Sequence, residues 1–299
     1  MTQFVAIVNG AAGGGRCKTE SLKVLPRLRE AGYELDVQET TRAGEATEIA
    51  RAKYASGARA FLSVGGDGTS YEVINGIFPR KDASSKVTLG ILPLGTGNSF
   101  LRDFGITSSE LAIESLLTKK TRSVDVVRAA HADGEIHYIN LLSIGFSAAV
   151  GSLTNKRFKP FGPAGYAMAV VTSITQLPHP SFPLRLDEDQ KIDSRPCTLL
   201  SFSNSRFTAG TMMMAPPADA TDGKVDVIRV GALSRVQLLS AFPRIYKGTH
   251  LSHPLIEHTR ARDVTFTSHE STEVMVDGEV LTLALKSLHV LPSALEVLA

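Results

Sequence analysis

The sequence predicts an α/β N-terminal domain, with a parallel sheet covered by helices on both faces, followed by a mainly antiparallel β C-terminal domain. Apolar strand-like runs alternate with helical segments in the first third of the chain, and glycine-rich turns follow three of these runs. Strand-like runs divided by tight turns dominate the rest. The pattern changes near Arg122. We therefore place the first domain at 1–122, rejoined by about 288–299, and the second at 123–287.

The first domain is expected to alternate strand and helix. Short, mostly apolar strands separated by helices are typical of a parallel sheet that is buried on both faces. Pro26 lies inside the first helical stretch, where its missing N–H is expected to kink or shorten the helix. In chain order we expect strands at 4–9, 35–40, 60–64 and 87–92, and helices at 19–30, 44–56 and 70–77.

The second domain is expected to be a set of antiparallel strands with two helical insertions. Its turn signals are Ala132-Asp133-Gly134 and Asp277-Gly278, which are typical of tight hairpins. A last segment at 294–298 could be a strand that returns to the first domain. Strands are expected at 124–130, 136–143, 198–204, 225–230, 264–267, 272–276 and 281–285, and helices at 162–176 and 234–247.

Composition excludes several classes of protein. The chain has 299 residues, 43% hydrophobic and 21% charged, which is typical of a globular protein. A net charge of +2 gives no general attraction to nucleic acid, and no nucleic-acid partner is expected. Two cysteines, Cys17 and Cys197, form no disulfide framework, and no apolar run has the length of a signal peptide or a spanning helix. We therefore expect a cytoplasmic protein.

The three glycine-rich turns predict a phosphate-binding crevice. They lie at 9–16, 65–69 and 93–98, each after a predicted strand, so a parallel sheet would bring them to one edge. Glycine lets backbone N–H groups approach a phosphate closely, and Asp67 between glycines is positioned to hold Mg²⁺. Neither a Walker A loop nor a G-x-G-x-x-G fingerprint is present. The alternative is a set of tight turns in an inert α/β domain.

These segments resemble the diacylglycerol kinase catalytic-domain family, which includes bacterial lipid kinases and sphingosine kinases. The core string Gly65-Gly66-Asp67-Gly68-Thr69 also occurs in NAD kinases, but the resemblance covers essentially the whole chain. It implies an NAD-kinase-like first domain and a β-sandwich-like second domain. The segments that carry the resemblance are 64–69, 72–76, 92–100 with Arg102, Asn140 with 144–146, 204–207 through 215–216, 222–223 and 277–279.

The resemblance also implies roles for individual residues. Asp67 corresponds to the family's essential aspartate at the metal and phosphates, and Glu279 to the carboxylate that takes the proton of the lipid hydroxyl. A second, structural Mg²⁺ would bind the Asp222 side chain and main-chain oxygens of Asp219 and Lys224. The residues implied in ATP binding are Asn9, Ala12, Gly13, Thr41, Gly65, Gly66, Asp67, Gly68, Thr69, Glu72, Thr96, Gly97 and Asn98.

Three positions depart from the family's pattern. Gly10 stands where many members have proline, and Glu45 where many have histidine. Ser99 stands where bacterial diacylglycerol kinases commonly have an aspartate tied to catalysis. Asp103, one helical turn further on, could partly substitute for it.

Together these features predict a lipid kinase that uses ATP and Mg²⁺ to phosphorylate a hydroxyl of a diacylglycerol-like membrane lipid. Asp67 and Glu279 are then expected to face each other across the gap between the lobes. Diacylglycerol, a monoacyl lipid, a sphingoid base, ceramide and phosphatidylglycerol all remain open as acceptors. The alternatives are an NAD kinase and, because of Ser99, a lipid-binding protein that has lost catalysis.

The partners expected are a membrane lipid substrate and, transiently, the membrane itself. Lys156-Arg157-Phe158-Lys159-Pro160-Phe161 interleaves cations with aromatic residues, which suits an anionic interface as well as it suits a solvated face. For the cations near Arg244 and Lys247, with His250, we favour the solvated face. Edge strands in the second domain are compatible with a homodimer.

Overall fold

The computed structural model describes residues 3–80, 85–158 and 162–299, and the chain divides into two compact units. The first unit comprises Met1–Val126, Ile136–Ile139 and Leu291–Ala299. The second comprises Val127–Glu135 and Asn140–Val290.

The first unit is built on a parallel sheet. Its elements in chain order are β1 (Gln3–Val8), α1 (Arg16–Glu30), β2 (Glu34–Glu39), α2 (Glu45–Ala55), β3 (Ala60–Gly65), α3 (Asp67–Ile77), β4 (Thr88–Pro93), α4 (Ser109–Thr118) and the start of β5 (Thr121–His131), with 3-10 turns at Ala12–Gly15 and Phe100–Phe104. The strand order is β2-β1-β3-β4, with parallel pairing throughout.

Both faces of this sheet are buried at β1, β3 and β4, whereas the edge strand β2 is partly exposed. Along β1, Phe4, Ala6 and Val8 pack in one core cluster with residues of α1 and α4. The intervening Val5 and Ile7 are equally buried, and alternate residues of a strand point to opposite faces. A sheet buried in this way needs continuously apolar strands, which is why the parallel sheet was predictable from sequence.

The second unit is mainly antiparallel. Its elements are β6 (Gly134–Tyr138, shared with the first unit), β7 (Leu141–Gly145), α5 (Phe146–Leu153), α6 (Gly162–Thr175), β8 (Leu184–Leu186), β9 (Cys197–Ser203), β10 (Phe207–Thr208), β11 (Met212–Met213), β12 (Val225–Gly231), α7 (Arg235–Ala241), β13 (Ile256–Ala261), β14 (Asp263–Phe266), β15 (Thr272–Val276), β16 (Glu279–Leu283) and β17 (Leu285–Leu298), with a π turn at Thr154–Phe158 and 3-10 turns at Phe242–Lys247 and Thr249–Ser252.

Six of these strands form one antiparallel sheet in the order β13-β12-β9-β7-β15-β16. The first half of β17 pairs with β14, which pairs with β8. The last residues of β17 belong to the first unit, where Glu296 and Val297 pair in parallel with β4. The predicted fold class is therefore confirmed.

Several element predictions were wrong in detail. The strand expected at 136–143 is broken into β6 and β7, because the backbone N–H groups of Asn140 and Leu141 donate to the Asp277 carboxylate instead of continuing one strand. The strand expected at 281–285 begins earlier, at Glu279. Pro26 does not shorten α1, which runs to Glu30, because Pro26 lies on the exposed face where water can satisfy the carbonyl left without a partner.

Among the described residues, no helix combines the length and the apolarity that crossing a bilayer would demand.

Candidate active site

The second and third glycine-rich loops meet at the carboxyl ends of β3 and β4. The Gly95 N–H donates to the Gly65 carbonyl at 2.8 Å, and the Asp67 N–H donates to the Gly97 carbonyl at 2.9 Å. A Cβ at Gly95 would lie 2.4 Å from the Gly66 Cα, so the two backbones approach too closely for any side chain.

The first glycine-rich loop joins them from the end of β1. Asn9 donates its backbone N–H to the Val64 carbonyl at 2.9 Å and its side-chain amide to the Thr69 hydroxyl at 3.2 Å. Gly13 has a φ of 62°, and a Cβ there would lie 2.7 Å from the Leu94 carbonyl oxygen. The structure thus brings all three loops together at one edge of the first sheet.

Asp67 is the acidic group at this meeting point. It opens α3, and both of its carboxylate oxygens accept the Ser99 N–H, at 3.0 and 3.1 Å. Burial raises the pKa of the Asp67 carboxyl, and hydrogen bonds from the Ser99 N–H, the Ser99 side chain and the Phe100 N–H partly oppose that shift.

This environment fits a divalent cation. In the described part of the chain Asp67 forms no ion pair, so its charge is held in a half-buried position without a counter-charge. A carboxylate of this kind beside backbone turns of the phosphate-binding type is suited to Mg²⁺ bound to a nucleotide.

Other residues predicted to contact ATP lie around the same loops. Asn98 donates its side-chain amide to the Gly95 carbonyl at 2.9 Å, whereas Thr96 is exposed. The Thr41 hydroxyl donates to the Glu45 carboxylate at 2.9 Å. Glu45, which stands where many family members have histidine, therefore contacts a residue predicted to bind ATP.

Glu72 has a role that the sequence did not reveal. Its two carboxylate oxygens accept the N–H groups of Gly44 and Ala46, at 2.9 and 3.1 Å, and so satisfy the first turn of α2. Glu72 therefore ties α3 to the start of α2. Contact between Glu72 and ATP stays a prediction.

Glu279 lies in the second unit, at a hairpin tip. The Asp277-Gly278 turn joins β15 to β16 with φ values of 45° and 92°, and two positive values are typical of a type I′ turn. Glu279 is exposed at the first position of β16. The predicted encounter of Glu279 with Asp67 stays a prediction.

Asp277, which sequence reasoning treated only as a turn residue, is the buried member of this hairpin. Its carboxylate accepts the N–H groups of Asn140 and Leu141, at 3.1 and 2.9 Å. Asp277 thereby holds this hairpin, on which Glu279 lies, against the start of β7. The only sequence signal was its place in the turn string Asp277-Gly278-Glu279, which resembles a family motif.

In the second predicted magnesium site, the Asp222 side chain already has protein partners. Asp222 accepts the Lys224 N–H at 3.0 Å and forms an ion pair with Arg260, while the Asp219 carbonyl accepts the Asp222 N–H at 3.4 Å. The Arg260 guanidinium thus places a positive charge beside the Asp222 carboxylate. No three metal-binding side chains converge anywhere in the described ranges. Metal binding by Asp219, Asp222 and Lys224 stays a prediction.

The segment predicted to contact the membrane is only partly described. Lys159, Pro160 and Phe161 lie outside the described residues. Arg157 is exposed and lines a cavity of the second unit, and Phe158 packs against that unit's core.

That cavity measures about 830 Å³ and is amphipathic. Its apolar wall includes Phe146, Leu153, Phe182, Phe266 and Leu285, and polar side chains such as Arg157 and Glu273 line it as well.

A second cavity of about 80 Å³ lies against the core of the same unit. It is almost wholly apolar, and Val150, Leu199, Met212, Met214, Leu238 and Ile245 are among its lining residues.

Comparisons with known proteins agree with this architecture. The model of the diacylglycerol kinase catalytic domain matches residues 3–129, and the model of the YegS C-terminal NAD kinase beta sandwich-like domain matches residues 140–299. A diacylglycerol kinase of Mycobacterium tuberculosis (strain CDC 1551 / Oshkosh) is 28% identical over 299 residues, covering 99% of this chain and 94% of that protein. The Bacillus subtilis (strain 168) diacylglycerol kinase is 25% identical over 276 residues, covering 91% and 88%.

A solved structure shows the same fold. The crystal structure of a Bacillus anthracis str. Sterne protein, named provisionally as a diacylglycerol kinase, superposes with a TM-score of 0.79 at 25% identity, covering 99% of this chain and 94% of that one. The two family models match consecutive parts of the chain in the order that the sequence motifs predicted. The protein therefore belongs to the diacylglycerol kinase catalytic-domain family, a family of lipid kinases.

Proposed function

We propose that this chain transfers the γ-phosphate of ATP, with Mg²⁺, to a hydroxyl group of a diacylglycerol-like membrane lipid. The observation that carries the proposal is the meeting of three glycine-rich loops around the half-buried carboxylate of Asp67, which has no cationic partner in the described chain.

The loops would bind the phosphates of ATP. Gly68 lies in the first turn of α3, where helix N–H groups lack helical acceptors, and its N–H is suited to a phosphate oxygen. Gly66 and Gly97 keep the backbone free of side chains beside it. Asn9 and Thr69, already joined by a hydrogen bond, would line the same site.

Phosphoryl transfer needs positioning and charge stabilisation more than covalent chemistry from the protein. Asp67 would hold Mg²⁺, which when bound supplies positive charge against the developing negative charge on the phosphate oxygens. The role proposed for Glu279 is general base: it would take the proton of the acceptor hydroxyl as the new P–O bond forms, a step that typically contributes about 10²–10⁴-fold in rate.

The second unit offers room for a lipid acceptor. Its cavity of about 830 Å³ is within the usual size range of small-molecule sites and is amphipathic, as a lipid with a polar head and acyl chains requires. This observation favours a lipid over NAD as acceptor, since a dinucleotide has no acyl chain to bury.

The direct test is phosphate transfer from radiolabelled ATP to a panel of acceptors, separated by chromatography. The panel holds diacylglycerol, a monoacyl lipid, a sphingoid base, ceramide and phosphatidylglycerol in micelles, together with NAD. We expect label in diacylglycerol or a close relative. Label in NAD alone would make the chain an NAD kinase, and no label in any acceptor would leave a lipid-binding protein without catalysis.

Asp67→Asn is the matched variant for this assay. The amide oxygen can still accept the Ser99 N–H, and the change removes an unfavourably buried charge, so the chain should fold with an unchanged or higher Tm. Turnover should fall by about 10³-fold or more, because the carboxylate proposed to hold the metal is gone. Near-normal phosphate transfer by a folded Asp67→Asn protein would rule out the proposed site.

A further inference from the structure

The helical segment from Arg235 to Lys247 is apolar on two opposite faces. α7 continues into the 3-10 turn Phe242–Lys247 without a break, since Phe242 keeps helical backbone angles of −55° and −46°. On the inner face, Leu238, Ala241 and Ile245 are buried in the core of the second unit.

The outer face carries apolar side chains as well. Val236, Leu239 and Tyr246 are 76%, 53% and 49% exposed, and helical spacing places them on the side opposite the buried residues. A surface helix normally presents polar residues there, and a helix that is apolar all round is typically enclosed by protein or by lipid. These three exposed residues, together with Arg235, Arg244 and Lys247, are called the α7 surface below.

The charges on the segment that carries the α7 surface are of one sign. Arg235, Arg244 and Lys247 are exposed on the same segment. The chain has 30 acidic residues, yet none of them lies in 227–256, the stretch that contains α7. None lies in 136–186 either, the stretch that contains α5 and α6, whose buried residues share a core cluster with α7. Exposed apolar groups interleaved with unopposed cations match the interfacial region of an anionic bilayer.

We infer that the α7 surface is the site at which this protein docks on bilayers containing anionic lipids. Val236, Leu239 and Tyr246 would enter the boundary between headgroups and acyl chains, and the three cations would bind lipid phosphates. Each basic residue near such a surface strengthens binding roughly fivefold. The proposal departs from the sequence-based interpretation, which favoured a solvated face for Arg244 and Lys247.

The same segment connects the bilayer with the interior of the unit. Leu238, Ala241, Phe242 and Ile245 line the narrow apolar cavity, so the outer face of α7 would touch lipid while its inner face borders that cavity. This link between the bilayer and the cavity rests on the proposed function, in which the acceptor is a lipid.

A second copy of the chain is a poorer occupant of this surface. A two-fold interface would place the α7 surface against itself and would oppose three cations with the same three cations. Anionic lipid supplies the complementary charge.

The test is flotation with vesicles of phosphatidylglycerol and phosphatidylcholine, without nucleotide. We expect wild type to bind these vesicles. In about 0.5 M salt it should lose most of this binding, because salt screens the attraction between exposed cations and lipid phosphates. Val236→Ser/Leu239→Ser and Arg244→Glu/Lys247→Glu should each weaken binding at least about tenfold, as expected from lost insertion and reversed charge.

Matched controls change equally exposed residues elsewhere. Leu22→Ser/Ile192→Ser removes two side chains that are 69% and 48% exposed, and Lys120→Glu/Lys191→Glu makes the same charge change at other exposed positions. Both should bind vesicles within about twofold of wild type. Equal binding by the α7 variants and these controls would overturn the inference. So would a wild-type dimer that Val236→Ser/Leu239→Ser converts to monomer while vesicle binding persists.

Phosphorylation of a short-chain, dispersed diacylglycerol separates this inference from the proposed function. If all variants phosphorylate it and the α7 variants fail only on vesicles, both stand. If no protein phosphorylates any lipid but only the α7 variants lose vesicle binding, the kinase proposal fails and the docking surface stands. If phosphorylation is intact and vesicle binding is unaffected by the α7 changes, the docking surface fails alone.

Discussion

Gly95 is the residue at which the second and third loops of the candidate site come closest. Its backbone N–H donates to Gly65, and an added Cβ would meet the Gly66 Cα at 2.4 Å and the Gly66 nitrogen at 2.6 Å. Neither neighbour is a flexible side chain that could move aside, so the loops themselves would have to separate.

We therefore predict that Gly95→Ala destabilises the fold by about 1–3 kcal/mol through overpacking. Separation of the loops by about 1 Å should also lower phosphate transfer on the order of 100-fold. Urea unfolding and the radiolabel assay measure the two effects. Gly10→Ala is the control for stability, since its Cβ would meet the Lys18 side chain at an ordinary 3.5 Å. Equal unfolding midpoints for the two variants would contradict the prediction.

At the scale of single residues, the sequence identified candidate site residues more readily than it identified their contacts. Asp67 between glycines was recognisable as a carboxylate at a phosphate-type turn. Its enclosure by Ser99, 32 positions away in the chain, was not, because no local pattern encodes that contact. Likewise, the sequence identified Glu72 and Asp277 only as members of family motifs. Their hydrogen bonds to α2 and β7 depend on the tertiary fold.

The short 3-10 turn Thr249–Ser252 places a histidine against the narrow apolar cavity. His250 is buried, and one ring nitrogen lies 3.0 Å from the Met214 carbonyl oxygen. Its Nδ1 is buried with no hydrogen-bond partner in the described chain. Burial lowers the pKa of His250 from its usual 6.5, and the Met214 carbonyl only partly opposes this.

The lowered pKa gives this turn a pH-dependent stability. Below pH 6.5 the unfolded chain binds a proton at His250 that the folded chain does not, so the stability that this residue contributes above pH 6.5 is lost as the pH falls. We predict that wild type loses more unfolding free energy than His250→Gln between pH 7.5 and pH 5.5. Urea unfolding at both values measures this, with the exposed His269→Gln as control. Parallel losses in wild type and His250→Gln would refute it.

Secondary-structure elements were predictable where their pattern was strong. The apolar strands of the parallel sheet and the paired strands β15 and β16 were found because periodicity and turn residues agree. α5 was missed because its short run of small and apolar residues, Phe146–Leu153, has no helical period distinct from a strand. α4 was missed although Ser108, whose side chain accepts the Leu111 N–H at 3.2 Å, is a recognisable N-cap.

At the scale of the whole molecule, β17 is the element that the sequence described least well. Only its last residues were expected as a strand, whereas it runs over 14 residues from Leu285 to Leu298. Its first half pairs with β14 and its end with β4, and no local signal distinguishes one long strand with two sets of partners from two separate segments.

The end of β17 should be indispensable to the first unit. Leu295, Val297 and Leu298 are buried, and Leu298 belongs to the core cluster that contains residues of α1 and β3. At about 1.5–3 kcal/mol for each fully buried apolar side chain, these three contribute on the order of the 5–15 kcal/mol that stabilises a whole domain. A chain ending at Ser293 should therefore fail to fold its first unit, as amide hydrogen exchange across β1, β3 and β4 would show.

A graded variant keeps this prediction testable if the truncated chain is lost to aggregation. Leu298→Ala leaves the backbone pairing with β4 intact and should cost about 2–5 kcal/mol by opening a cavity in the first core. Removal of Ala299 alone, which deletes no buried side chain, is the control and should leave the urea midpoint unchanged. If Leu298→Ala unfolded at the wild-type midpoint, the prediction would be contradicted, because the terminal strand would then not be part of the first core. The edge of the sheet that carries the three glycine-rich loops would in that case be stabilised by β1, β3 and β4 alone.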